Sequence, residues 1–351
     1  MSQVEPKGMK NIGYNCYMNS LLQCLFYIPE LRNYFINNIN YFYRNKKKLS
    51  LTFAEIMYKY LKEEAETVDV FALLRFKNDM GEINNLFNAQ GGDAKDLFIN
   101  FIDTIINELT TENNDNNNAD IPKPNSTDKR QIFLESQKEI DNNNIINKLF
   151  VGYYETIYKC KTYKNCARNS EDPEDIKDIK DIKTYSFTNE AFILFNLEKI
   201  NDHYPNEELT VQKCLEYHFN REYKSNFYCN FCLKTENNDI EEKIYKPPNV
   251  LVLILDRGKG KTFKGNVDFD LEFDLKVFVD DESPYKDNAK YDLIGVLSHN
   301  GESSLKGHYT ARCLVNGKSF YYFDDEKFDK ANNRTFYSGE PYLLFYKRQE
   351  S

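Results

Sequence analysis

The stretch GMKNIGYNCYMNSLLQCLFYIPELRNYF, Gly8 to Phe35, constrains this chain more than any other. Met18, Leu21, Leu22, Leu25 and Phe26 recur at helical spacing, which predicts a helix from about Tyr17 with one buried face. Pro29 is expected to stop it. Cys16 stands where a Gly- and Asn-rich turn becomes that helix. A thiol at a helix N-terminus lies at the positive end of the macrodipole, which favours the nucleophilic thiolate. Asn11, in the same turn, is placed to offer an amide N–H to a developing oxyanion. The same cysteine also fits a small buried residue without chemistry, since free cysteine is among the most buried residue types.

The C-terminal region bears on that choice. It reads YDLIGVLSHNGESSLKGHYTARCLVNGKSFYYFDDEKF and closes on PYLLFYKR. Tyr291–His299 and His308–Leu314 read as strands joined by a Gly-bearing loop, and Phe320–Phe323 runs into Asp324 and Asp325. A nucleophilic cysteine needs a base within hydrogen-bond reach, and the base needs an acceptor that fixes its tautomer. His308 and Asp324 supply those residue types, and the chain holds only 4 histidines.

Together the two stretches resemble the cysteine and histidine boxes of the ubiquitin-specific proteases, papain-like cysteine deubiquitinases, in the right order and across Gly8 to Arg348. The resemblance implies Cys16 as nucleophile, His308 as base, Asp324 as orienter and Asn11 as oxyanion-hole residue. It implies an α+β papain-like fold with a helical thumb, a β-sheet palm and a β finger extension. The thumb would span about 8–145, the fingers about 155–245 and the palm the remainder, mainly 146–155 and 246–348, in one catalytic domain over 8–348. Ubiquitin contacts are implied at Asp93, Asp96, His299 and Tyr309. The stretch QGGDAKDLF resembles the family's thumb box, with Gly91 and Gly92 in place of two glutamines. LDRG, Leu255 to Gly258, keeps Arg257 of a second motif but lacks its aromatic residue.

The order of periods agrees with a mixed fold. Phe53–Glu64 and Asp93–Leu109 carry apolar residues at helical steps. Strand patterns follow at Leu149–Tyr158, Glu190–Leu197, Pro248–Leu255 and Val277–Val279. Residues 110–130 are rich in Asn and Asp, and residues 168–184 repeat a DIK triplet, so both read as flexible insertions. Eight cysteines with no signal peptide and no long apolar run point to a reducing intracellular setting, cytoplasmic or nuclear. A net charge of −9 argues against nucleic-acid binding and admits a basic partner surface. No membrane association is expected, and the expected state is a monomer.

Cys229 and Cys232 form a C-x₂-C knuckle, a strong local zinc signal. Cys160 and Cys166 are more widely spaced, and the resemblance implies that the four bind one structural Zn²⁺ at the finger tip; free thiols at a vestigial site are the alternative. Cys24 and Cys214 read as packing residues. Catalysis would need no cofactor. The implied reaction is hydrolysis of the isopeptide or peptide bond after ubiquitin's C-terminal glycine. The alternatives are a ubiquitin-binding pseudoenzyme and a protease for another ubiquitin-like modifier.

Overall fold

Helical period dominates the N-terminal part of the chain, and the elements follow it. The computed structural model describes residues 4–62, 67–68, 70–88, 91–110, 130, 132–137, 144–159, 183–220, 223–229, 234–258, 263–303 and 306–350. The helices α1 (Cys16–Phe26), α2 (Pro29–Asn37), α3 (Ile39–Arg44), α4 (Lys48–Lys62), α5 (Val70–Ile83) and α6 (Ala94–Thr110) pack as a thumb. A short parallel pair, β1 (Gly8–Met9) and β2 (Thr67–Val68), lies beside them.

Two features of α1 differ from the sequence reading. The helix is buried on every side, because it is wedged between α2 and α6 on one flank and the palm strands on the other. Its polar residues are therefore bonded inside: Gln23 donates to the Lys7 carbonyl and accepts from the Tyr60 hydroxyl. Pro29 does not merely end α1. It opens α2 from the N1 position, where its missing N–H costs no bond, after an extended Ile28.

The remaining strands build two sheets. The finger sheet has the order β4–β3–β8–β7, from β3 (Gly152–Lys159), β4 (Lys183–Glu190), β7 (Tyr223–Cys229) and β8 (Lys234–Lys246). Between these in sequence come β5 (Ile193–Asn196) and β6 (Leu209–Thr210), followed later by β9 (Val250–Asp256), β10 (Val267–Asp268) and β11 (Glu272–Asp274). The palm adds β12 (Lys290–Ser303), β13 (Lys306–Val315), β14 (Ser319–Asp324), β15 (Lys327–Lys330) and β16 (Glu340–Arg348). Its order is β15–β14–β13–β12–β16–β9–β5, with β11 paired to β12. Strand β9 is buried on both faces, and its side chains divide between two apolar clusters. Val250, Val252 and Ile254 join the thumb cluster, while Leu251, Leu253 and Leu255 join a second cluster on the opposite face.

Val277–Val279 is not a strand: a 3₁₀ turn, Lys276–Phe278, buries only Phe278. Leu149 and Phe150 close a short helix, Ile145–Phe150, so that strand begins at Gly152. Arg130, read as the edge of an exposed insertion, is buried in an ion pair with Glu155, its Nε lying 2.9 Å from Oε2. Thr110 instead ends α6, and Lys183 and Thr184 open a finger strand, while residues 111–129 and 168–182 fall outside the described residues. Among these, no helix is long and apolar enough to cross a membrane.

Candidate active site

Cys16 is the first residue of α1, and Asn15 is the N-cap. The Asn15 side chain turns away from helix capping. Its Oδ1 accepts from the Ile12 N–H at 2.7 Å, and its Nδ2 donates to Asn19 Oδ1 at 2.9 Å. This folds the Asn-rich turn back on the helix, with Gly13 and Tyr14 both at positive φ, 103° and 57°. Glycine adopts that conformation readily and tyrosine only with strain.

His308 enters from β13 and Asp324 ends the adjacent β14. His308 Nε2 lies 2.6 Å from Asp324 Oδ1. The other ring nitrogen, Nδ1, is thereby left for the Cys16 thiol. A hydrogen bond to that thiol and, after it, the Asp324 carboxylate push the His308 pKa up to about 9 against the opposing effect of burial. The three groups therefore form a chain: thiol, imidazole, carboxylate. They come from the thumb and from two neighbouring palm strands, which the packing of α1 on β13 and β14 brings together.

Asp325 lies in the turn after β14, at φ 52°. The turn, rather than strand alternation, sets its direction. One oxygen accepts from Asn11 Nδ2 at 2.8 Å and the other from Asn19 Nδ2 at 2.7 Å. Its backbone carbonyl accepts from the Met9 N–H at 2.7 Å. Asp325 thus ties the turn before Cys16 and the first coil of α1 to the strand that carries Asp324. Burial raises its pKa, and the amides of Asn19 and Asn11 oppose the rise. This network was not drawn from the sequence, although asparagines at 11, 15 and 19, inside and ahead of an apolar helix, were its signal.

The protein-family model for ubiquitin carboxyl-terminal hydrolase matches residues 7–346. The chain belongs to that family. Ubiquitin carboxyl-terminal hydrolase 4 of Saccharomyces cerevisiae is 24% identical over 381 residues, covering 97% of this chain and 39% of its own length. The chain thus spans about two fifths of that relative. The Arabidopsis thaliana ubiquitin carboxyl-terminal hydrolase 4 is 24% identical over 332 residues, covering 91% of this chain and 83% of itself. Among solved structures, Ubp8 in the SAGA DUB module bound to monoubiquitin superposes with a TM-score of 0.70 at 19% identity, covering 99% of this chain and 70% of that one. The same module bound to ubiquitin aldehyde gives 0.69 at 20% identity, covering 99% and 70%. The resemblance drawn from the two motifs is borne out, and so is the mixed α+β fold with thumb, palm and fingers.

In this hydrolase-family chain the other expected site residues fall into two groups. Asp93 is buried at the head of α6; both its oxygens accept from the Tyr342 hydroxyl at 2.8 Å, and one accepts the Lys95 N–H. It holds the helix start to β16 instead of facing solvent. Asp96, one turn further, is half-buried, and burial, then the charge of Asp93, raises its pKa. Lys95 reaches Asp256 at 3.5 Å, so the cleft edge carries several acidic groups around one lysine.

His299 and Tyr309 are both buried and face each other across β12 and β13, ring centroids 4.4 Å apart. Tyr309 also packs near Tyr342, at 6.0 Å. Tyr309 follows His308 directly in β13. A Cβ on Gly307 would lie 2.3 Å from His299 Nε2, and one on its partner Gly301 would lie 2.1 Å from the Lys306 carbonyl oxygen, so the ring and the facing backbone leave room only for glycine. Arg257 is buried and donates to the carbonyls of Gly265 and Pro341 at 2.7 and 3.3 Å, which fixes a loop. Cys24 and Cys214 are buried as packing residues. Cys160, Cys166 and Cys232, and the side chain of Cys229, lie outside the described residues. Among the described residues, the one close set of metal-type donors is His308, Asp324 and Asp325, already engaged in the network above.

Proposed function

We propose that this chain is a cysteine deubiquitinase with a Cys16–His308–Asp324 triad. The observation that carries it is the chain of hydrogen bonds from a thiol at a helix N-terminus, through imidazole, to a carboxylate 2.6 Å away. With its pKa near 9, His308 stays protonated at neutral pH beside the Cys16 sulfur. The thiolate attacks the carbonyl carbon after ubiquitin's last glycine. His308 then gives its proton to the departing lysine amine, leaving a thioester that water hydrolyses with His308 as base. Asn11 Nδ2 bears two hydrogens; one goes to Asp325, and the second is available to the oxyanion beside the N–H groups at the head of α1. Asp96 and the neighbouring acidic groups suit the arginines of ubiquitin's tail.

An electrophilic ubiquitin C-terminal probe should form a covalent adduct at Cys16, and a ubiquitin-derived fluorogenic substrate should be hydrolysed. Cys16→Ala should abolish both and keep noncovalent binding. Binding of ubiquitin by the wild-type chain without an adduct under reducing conditions would establish a pseudoenzyme. Reaction with another modifier alone would overturn the substrate.

A structural zinc on Cys160, Cys166, Cys229 and Cys232 belongs to the same proposal. Its support is topological: Lys159, at the end of β3, pairs with Asp239 of β8, and Cys229, at the end of β7, pairs with Lys234 of the same strand. Strands β3 and β7 therefore both run toward the N-terminal end of β8, and the cysteine pairs stand at or after their ends in sequence. Four thiolates would hold the ion tetrahedrally and stabilise that end of the fingers. Metal analysis of tag-free protein should find about one zinc per chain, lost in Cys229→Ser; four freely titratable thiols and no metal would refute it.

A further inference from the structure

At the root of the fingers, on the palm face opposite α1, lies a cavity of about 260 Å³. The pairings Gly152↔Glu190, Tyr154↔Thr188 and Thr156↔Glu242 put Glu190, Tyr154, Thr188, Thr156 and Glu242 on one sheet face, and all but Gly152 line the cavity. Phe219 closes one side, at the C-terminal end of the helix Val211–Phe219, whose dipole is negative there. Among the described residues, no lysine or arginine lines the cavity, and His218 at the end of the same helix is its one histidine. Its sheet-side polar groups are carboxylates and hydroxyls, all able to accept.

Tyr154 supplies the independent sign of a ligand. It is only 9% exposed, and its hydroxyl has no hydrogen-bond partner among the described residues. Its ring is held flat against Phe219, centroids 6.3 Å apart and planes 9° from parallel. A Cβ on Gly152 would lie 3.2 Å from this hydroxyl, and Gly152 is the register partner of Glu190. The hydroxyl and the Glu190 strand position therefore share one end of the cavity. Burial, and then the charge of Glu190, raises the Tyr154 pKa, so the hydroxyl remains neutral.

We propose that this pocket accepts one arginine side chain of a protein partner, its guanidinium set among Glu190, Glu242 and the Tyr154 hydroxyl. The volume falls below the ~300–1,000 Å³ of pockets for drug-sized ligands and suits a single side chain. Acceptors standing on three adjacent strands, beside a flat aromatic wall, match a planar fork with five N–H donors better than a compact ammonium. Because the pocket opens on the face away from α1, such a partner binds without covering Cys16.

The test is titration of the full chain with Nα-acetylarginine methylamide, followed by NMR, against the neutral citrulline analogue and the lysine analogue. Saturable arginine binding, at least tenfold stronger than citrulline and stronger than lysine, is expected. Glu190→Gln with Glu242→Gln should weaken it at least tenfold and leave hydrolysis of a ubiquitin substrate unchanged. Tyr154→Phe should weaken it about threefold without lowering the melting temperature, since that hydroxyl has no partner among the described residues. No saturable binding, equal binding of citrulline, or unchanged binding in the double variant would overturn the pocket. Equal binding of lysine would overturn the guanidinium.

Discussion

Two regions of this molecule each present a pair of nearby aspartates, and the pairs divide their work in the same way. At the end of β14, Asp324 bonds the His308 imidazole, while Asp325 bonds Asn11, Asn19 and the Met9 N–H. At the head of α6, Asp93 bonds the Tyr342 hydroxyl and the Lys95 N–H, while Asp96 stands half-buried at the cleft. In each pair one carboxylate fixes backbone and the other is left for chemistry or recognition. The regions differ in what the fixed member holds. Asp325 locks the turn that precedes Cys16, the proposed nucleophile, so its loss should reach the reaction; Asp93 locks a helix start, so its loss should reach stability first.

The largest effect should come from Asp324. Asp324→Ala should lower kcat by roughly 10²–10⁴, the range of a lost acid–base contribution. The charge of Asp324 raises the His308 pKa, so Asp324→Asn should move the alkaline limb of kcat/KM down from near pH 9. The sign follows from the protonated form: imidazolium is the active partner of the thiolate, and a lower pKa loses it earlier as pH rises. An unmoved limb would break the pairing of Asp324 with His308.

Asp325→Ala should lower kcat less than Asp324→Ala and leave the alkaline limb nearer pH 9, because it acts through Asn11 and Asn19. Steady-state kinetics of the two variants side by side would decide this, and equal or reversed losses would undo the division of labour at β14.

At α6 the effects should be smaller and of another kind. Asp93→Ala removes a helix cap and leaves a buried tyrosine hydroxyl without its acceptor, a loss of about 2–4 kcal/mol from the two together. Chemical denaturation should show it. Asp96→Asn should leave stability nearly unchanged and raise KM for a ubiquitin substrate a few-fold, an increase that shrinks at high salt. A stability loss at Asp96 equal to that at Asp93 would erase the contrast.

The residues of the proposed triad were legible because short motifs fixed them by local rules. The cysteine at the head of an apolar helix, the histidine opening one strand and the aspartate ending the next each occupy a position set by neighbours in sequence. The direction of Asp325 was not legible. A strand pattern points it away from Asp324 by alternation, but the chain leaves the strand there, at φ 52°, and the bonds that hold it come from residues more than 300 positions distant. The partner of Asp93 was not legible for a related reason: the hydroxyl of Tyr342 that bonds its carboxylate lies 249 residues on.

The sequence by itself determined the family and the mixed fold and singled out Cys16, His308 and Asp324 as the triad proposed here, since periodicity and motif order are properties of the chain alone. Tertiary structure decided which polar groups meet. Packing α1 between thumb and palm buried it on every side and forced Asn15, Asn19 and Gln23 to find partners. It also joined three strands around the unpartnered hydroxyl of Tyr154. Hydrogen bonds between distant segments depend on distances of a few tenths of an ångström, and only the folded chain sets those.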